Sequence, residues 1–232
     1  DSDWASATYY GDAEGDGSLV TNAWVYISVK DDENEDDNEP THHFYFASNG
    51  KKTVSTEKTI GNVKYTFDDR GVAQDSWVHN SDKGTWKYYG DEEEPKLHTG
   101  WFEAVPDKTL NSSDHESGTT HWYYANSKGE ITIPTDDGEQ GITKTIDGKS
   151  YLFNVNGEMV TGLRILTYGG SKITNISSEV DSVDRVKEMN SNTQKLVYFG
   201  DNGAAKTGVT TVSLDGYNYT FNFKSNGSPR GV

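Results

Sequence analysis

The chain contains no cysteine, so no disulfide framework holds it together. Apolar residues are scarce as well, at 32% of 232 residues with only two methionines, which is little for a single-core globule of this length. No apolar run approaches the roughly 18 residues of a membrane span. Cations are outnumbered, 21 Lys and Arg against 37 Asp and Glu, for a net charge of −16. That balance argues against nucleic acid, whose phosphates need cationic partners, and against anionic membrane surfaces; its plain reading is solubility. No secretory leader is visible, so the chain reads as a mature or excised fragment.

Catalytic signatures are missing too. There is no HExxH, no GxSxG and no phosphate-cradling glycine loop before a helix. The six histidines fall in no metal-ligand spacing. Carboxylates are plentiful, but they sit in acidic loops; a glycosidase needs one carboxyl with a raised pKa in a shielded cleft. The acidic run 31–39 (DDENEDDNE) lacks the sixth-position glycine of an EF-hand loop and reads as a solvated loop, as does 11–17 (GDAEGDG). No catalytic residue, metal ligand or cofactor is predicted.

Abundant instead are glycine, 24 residues, and tyrosine, 14. With Thr, Asn and Asp they indicate many short strands and tight turns. One frame recurs: aromatic, any residue, aromatic, a few polar residues, then Gly. It occurs at Phe44/Phe46 with Gly50, Tyr65/Phe67 with Gly71, Trp86/Tyr88, Trp122/Tyr124 with Gly129, Tyr151/Phe153 with Gly157, Val197/Phe199 with Gly203, and Tyr219/Phe221 with Gly227. Tyr9-Tyr10-Gly11 is an eighth, N-terminal copy. Asp147-Gly148 and Asp215-Gly216 are two-residue hairpin turns. The alternate spacing puts both rings on one strand face. Two strands alone bury such a face poorly, so successive hairpins must cover one another. The expected fold is all-β, a β-hairpin solenoid of stacked short repeats. Residues 1–168 form the repeat body, 169–194 an insertion lacking the frame, and 195–232 the last repeats, continuous with the body. Val180, Val183, Val186 and Met189 recur every three residues and Ser178-x-x-Asp181 resembles a cap, which predicts one short helix near 179–190.

Most Tyr and Phe of the frame read as core. The tryptophans differ, because a thin stack rarely needs so large a ring inside it. Those at 4, 24, 77, 86 and 101 lie in the N-terminal half and Trp122 soon after, with none from 123 onward. An open Trp/Tyr platform suits the flat C–H faces of sugars. A closed box of two or three rings suits a quaternary ammonium by cation–π attraction.

The stretch 84–89 (GTWKYY) with Thr99-Gly100-Trp101 resembles the cell-wall-binding repeat of choline-binding proteins. The stretch 146–163 (IDGKSYLFNVNGEMVTGL) resembles the related glucan-binding repeats of glucansucrases and the repetitive domains of clostridial toxins. The likeness spans most of the chain outside 27–41 and 169–194. It implies a hairpin solenoid without catalysis, attaching a surface protein to a glycan or a choline-decorated wall polymer. Carried over residue by residue, it implies one cage at Trp86 and Tyr88 with Trp101, and another at Trp101 and Trp122 with Tyr124. The unit 76–102 alone keeps the full tryptophan pattern, and several equivalent cages are what a choline array needs for avidity. The expectation is therefore a non-catalytic carbohydrate-binding module of an extracellular, secreted or cell-surface bacterial protein that carries other modules. Its partner is a neutral polysaccharide, an α-glucan of the starch or dextran type, bound through Trp77, Trp86, Tyr88, Trp101, Trp122 and Tyr124. The alternatives are a choline- or teichoic-acid-binding wall anchor and a structural spacer or interaction stalk.

Overall fold

The structure is a computed structural model that describes residues 7–11, 17–28 and 41–224. The acidic run 31–39, residues 12–16, Trp4 and Gly227 lie outside the described residues. Among those described, the protein is all-β with two short helices. The strands run β1 (Ala23–Ser28), β2 (Thr41–Phe46), β3 (Thr56–Ile60), β4 (Val63–Phe67), β5 (Trp77–Asn80), β6 (Thr85–Tyr88) and β7 (Gly100–Ala104). After helix α1 (Ser112–Ser117) come β8 (His121–Ala125), β9 (Gly141–Ile146), β10 (Lys149–Asn154), β11 (Gly162–Gly169) and β12 (Lys172–Ile176). Helix α2 (Val183–Lys187) then precedes β13 (Gln194–Phe199), β14 (Gly208–Leu214) and β15 (Tyr217–Phe223). The chain forms two compact units, 1–80 with 86–98, and 81–85 with 99–232.

Ten strands pair two by two: β1–β2, β3–β4, β5–β6, β7–β8 and β14–β15. The β1–β2, β3–β4, β7–β8 and β14–β15 pairs are antiparallel. The Asp-Gly turns form as the sequence predicts. Ile146 faces Lys149 and Leu214 faces Tyr217, and both residues of each turn have positive φ, 49° and 76° at Asp147-Gly148, 52° and 78° at Asp215-Gly216. That is the turn whose twist matches the strands it joins.

A second turn recurs after five of the hairpins. Phe46 bridges Lys52, Phe67 bridges Ala73, Ala125 bridges Ile131, Phe153 bridges Met159 and Phe199 bridges Ala205. Each pair spans the frame's glycine, which sits in the left-handed region. In three copies an Asx side chain also closes the loop: Asp68, Asn126 and Asn154 each accept from two backbone amides further on. The residue leaving the turn then reaches the preceding hairpin. Ala73 N donates to His43 O, Met159 N to Trp122 O and Ala205 N to Ser150 O, each at 2.8 Å. The core follows from this arrangement, as clusters between neighbouring hairpins: Tyr45, Phe67 and Ala73 in the first unit, Ile146, Tyr151, Phe153 and Ala204 in the second.

The segment 169–194 lies inside a repeat hairpin. β11 pairs with β13 from Gly162↔Phe199 to Thr167↔Gln194, and β12 pairs with the other side of β11. A single bridge, Ile173↔Gly141, joins β12 to β9, giving a five-stranded sheet in the order β10-β9-β12-β11-β13. The expected helix forms as α2, and Val183, Val186 and Met189 pack on Leu163, Val180 and Phe223. Its cap is Ser182, whose hydroxyl accepts from Arg185 N, and not Ser178. Ser178 takes the Arg185 guanidinium instead. Helix α1 was not foreseen, because it buries no residue and so has no apolar period to read. Asn111 caps it and Gly118, at φ 70°, ends it.

Candidate binding site

Two sets of aromatic side chains, one in each unit, share a single geometry. In the first, Trp24 on β1 stands opposite Tyr45 on β2, and the next hairpin contributes Tyr65 and Phe67 from β4. Ring centroids lie 5.3, 4.7 and 5.6 Å from Trp24, at interplanar angles of 66°, 62° and 28°. In the second, Trp101 on β7 stands opposite Tyr124 on β8, and the next hairpin contributes Tyr151 and Phe153 from β10. The distances are 5.2, 4.8 and 5.8 Å and the angles 69°, 62° and 30°. In both, the Phe is sealed beneath and the Trp is half-buried, leaving part of its ring in solvent.

A lysine completes each set. Lys58 faces Tyr65 across β3–β4 and lays its ammonium 5.4 Å from the Tyr45 centroid. Lys144 faces Tyr151 across β9–β10 and lays its ammonium 5.7 Å from the Tyr124 centroid. Both are within cation–π range. Both are half-buried, whereas their neighbours Glu57, Thr59, Thr143 and Thr145 are exposed.

The residues expected from sequence divide between the units, with Trp77, Trp86 and Tyr88 in the first and Trp101, Trp122 and Tyr124 in the second. Trp101 and Tyr124 belong to the second set above. Trp122, on the same strand, is 45% exposed. Trp77 packs on Tyr88 at 4.9 Å, tilted at 43° where the cross-strand Trp–Tyr pairs of the two sets stand edge-on. Trp86 is only 8% exposed, stacked on His79 at 4.4 Å and 16° and edge-on to Trp77. Tyr88 also meets His98 at 5.1 Å. Burial, then the Asp91 and Asp75 charges, push the Tyr88 phenol up. Burial and nearby Lys96 hold His98 below its ordinary range. The residues missed in sequence are Trp24 with Tyr45 and Tyr65, and the two lysines.

One polar cluster has metal-ligand composition. His121 Nε2 lies 2.8 Å from Asp114 Oδ2 and 3.9 Å from Glu158 Oε1. The Asn111 amide donates to both of those carboxylate oxygens, at 2.9 and 2.8 Å, and the Asn154 amide donates to the other Glu158 oxygen at 2.7 Å. These contacts satisfy the nearly buried Glu158, and the cluster ties the start of α1 to the turn after β10. Beneath it, burial and the two carboxylates push the Tyr123 phenol far up, so it stays neutral.

No family model matches the chain. Over 169 residues, 73% of its length, it is 26% identical to glucosyltransferase-S of Streptococcus mutans, of which it covers 10%. Its fold is similar to that of choline-binding protein CbpF, solved in complex with ipratropium, at a TM-score of 0.54 and 19% identity. That match covers 97% of this chain and 54% of the other. The pneumococcal protein CbpJ is similar at a TM-score of 0.44 and 18% identity, over 96% of this chain and 78% of that one. The chain thus spans about a tenth of the curated relative and about half of the first solved structure.

Proposed function

We propose that this chain, similar in fold to a choline-binding protein and in sequence to a small part of a glucosyltransferase, is a non-catalytic module that holds a polysaccharide outside the cell. The hairpins stack as a β-hairpin solenoid, with 169–194 as a loop excursion and 195–232 continuing the repeats. The observation that carries this reading is the half-open Trp–Tyr–Tyr set, built twice with the same angles. A partly exposed Trp edged by Tyr offers a flat apolar face to a sugar ring, and the lysine beside it offers donors to hydroxyls. Each unit has its own ligand residues: Trp101, Tyr124 and Trp122 in the second, and Trp77, Tyr88 and the nearly buried Trp86, with Trp24, Tyr45 and Tyr65, in the first. The ligand is a neutral α-glucan. The curated relative is by name a glucosyltransferase, of which the matched stretch is a small part. The module belongs to a larger secreted or surface-attached protein.

A second reading, a choline- or teichoic-acid-binding wall anchor, is favoured by the fold shared with CbpF. The two part in one experiment. Electrophoresis through gels containing starch or dextran retards the wild-type chain under the first reading, nearly independently of salt. Trp101→Ala with Trp24→Ala abolishes the retardation. Retention on a choline matrix and elution by free choline, with no glycan retardation, establishes the second reading instead.

A further inference from the structure

We propose that Lys58 and Lys144 are tethered cations that occupy the cationic positions of the two aromatic sets and set their selectivity against quaternary ammonium ligands. This rests on the reading that those sets are the ligand face. An electron-rich cup of one Trp and two Tyr attracts any ammonium within about 6 Å of a ring centroid. In both cups the chain supplies that ammonium itself, from the same place: the residue directly opposite the Tyr of the covering hairpin, reaching back over the Tyr of the hairpin before it. Among the described residues neither lysine is paired with a carboxylate, so its partner is one ring of the cup, Tyr45 for Lys58 and Tyr124 for Lys144.

A third junction in the same chain serves as an internal control. Where β11–β13 meets β14–β15, the position of the Trp opposite a Tyr is taken by Leu163, facing Tyr198. The covering hairpin presents Phe221 and the sealed Phe223, and Thr210 stands opposite Phe221 where the other junctions have lysine. In these three junctions the Trp and the lysine are present together in two and missing together in the third; at a fourth, between β9–β10 and β11–β13, Thr143 holds the Trp position and the cation opposite Val197, Arg164, donates to the Thr161 and Ser177 carbonyls.

Two consequences follow. A free quaternary ammonium must displace a covalently attached ammonium and then share the cup with a like charge. An uncharged sugar meets no such opposition and gains a hydrogen-bond donor at the rim. The test is choline titration of the full chain, followed by tryptophan fluorescence and calorimetry. Wild-type protein is expected to bind choline at least about tenfold more weakly than the Lys58→Met, Lys144→Met double variant. Each single variant is expected to gain one site, and the Lys58→Arg, Lys144→Arg pair, which keeps both cations, none. Thermal melting of each variant confirms that the fold is intact. Equal choline affinity in wild type and the Met double variant, including no binding by either, overturns the proposal, as does a gain in the Arg pair. Starch-gel retardation of the same proteins separates the two failures: retained glycan binding with no choline gain sinks the lysine's role alone, and lost glycan binding in the wild type sinks the ligand reading beneath it.

Discussion

The Trp24 and Trp101 sets are built from strands with little in common, AWVYIS and GWFEA on one side, VKYTF and KSYLFN on the other. Their corresponding ring distances nonetheless differ by 0.1, 0.1 and 0.2 Å, from 5.3 against 5.2, 4.7 against 4.8, and 5.6 against 5.8. What they share is register: a Trp opposite a Tyr, one residue from the strand end that enters the glycine turn, covered by Tyr-x-Phe from the next hairpin. The geometry is therefore a property of how one hairpin seats on the next. They differ in which Tyr is sealed, Tyr45 in the first and Tyr151 in the second. The open ring beside the Trp is thus Tyr65 on the covering hairpin in one case and Tyr124 on the covered hairpin in the other.

That comparison is open to breaking at several strengths. The largest effect is expected from the floor of each set. Phe67→Ala and Phe153→Ala each remove a fully buried ring between hairpins and are expected to cost about 3–5 kcal/mol in chemical denaturation. A cost below about 1 kcal/mol at either would show that hairpin seating does not depend on it. Next, Trp24→Ala and Trp101→Ala are each expected to weaken glycan retention by about 2 kcal/mol. Unequal losses would identify the set with the more accessible neighbouring Tyr as the stronger site. Smaller again, Gly61→Ala and Gly148→Ala place a Cβ in open space at φ 56° and 76°, so each carries backbone strain alone, about 1 kcal/mol, in thermal melts. A cost at one turn and not the other would break the equivalence of the two covering hairpins.

The smallest expected effect is pH-dependent and confined to the first unit. His98 is held below its usual pKa by burial, so the fold favours its neutral form. The stability this contributes is complete above about pH 6.5 and is lost as pH falls through the lower folded value. His98→Gln should flatten that acid slope in melts between pH 7 and 5; an unchanged slope would place its cause elsewhere.

The turns and the all-β class were legible in the sequence because they depend on local chemistry. Asp-Gly pairs accept positive φ, and alternation of rings needs no knowledge of partners. The Trp24 set was not legible that way. Its members come from positions 24, 45 and 65, and strand alternation places Tyr65 on a face without saying what covers it. The consensus unit is the complementary case. Trp86 has the full motif around it, yet faces inward against His79, because motif spacing fixes a strand face and not which face is buried. The lysines read as ordinary solvent-facing residues of polar strands. A signal was present all the same: Lys58-Thr59-Ile60 and Lys144-Thr145-Ile146 each precede a two-residue turn, and each lysine stands seven residues before the Tyr it faces. Helix α1 left no trace beyond Asn111 and Gly118 because nothing on it is buried.

The β11–β13 hairpin keeps its register unbroken although the chain leaves it after Tyr168 and does not return until Thr193, making a strand and a helix on the way. Seating is decided at the glycine-turn end of a hairpin, so the opposite end tolerates splicing. A peptide cassette inserted between Gly61 and Asn62 or between Asp147 and Gly148 would be carried at the rim of a cup without disturbing its floor.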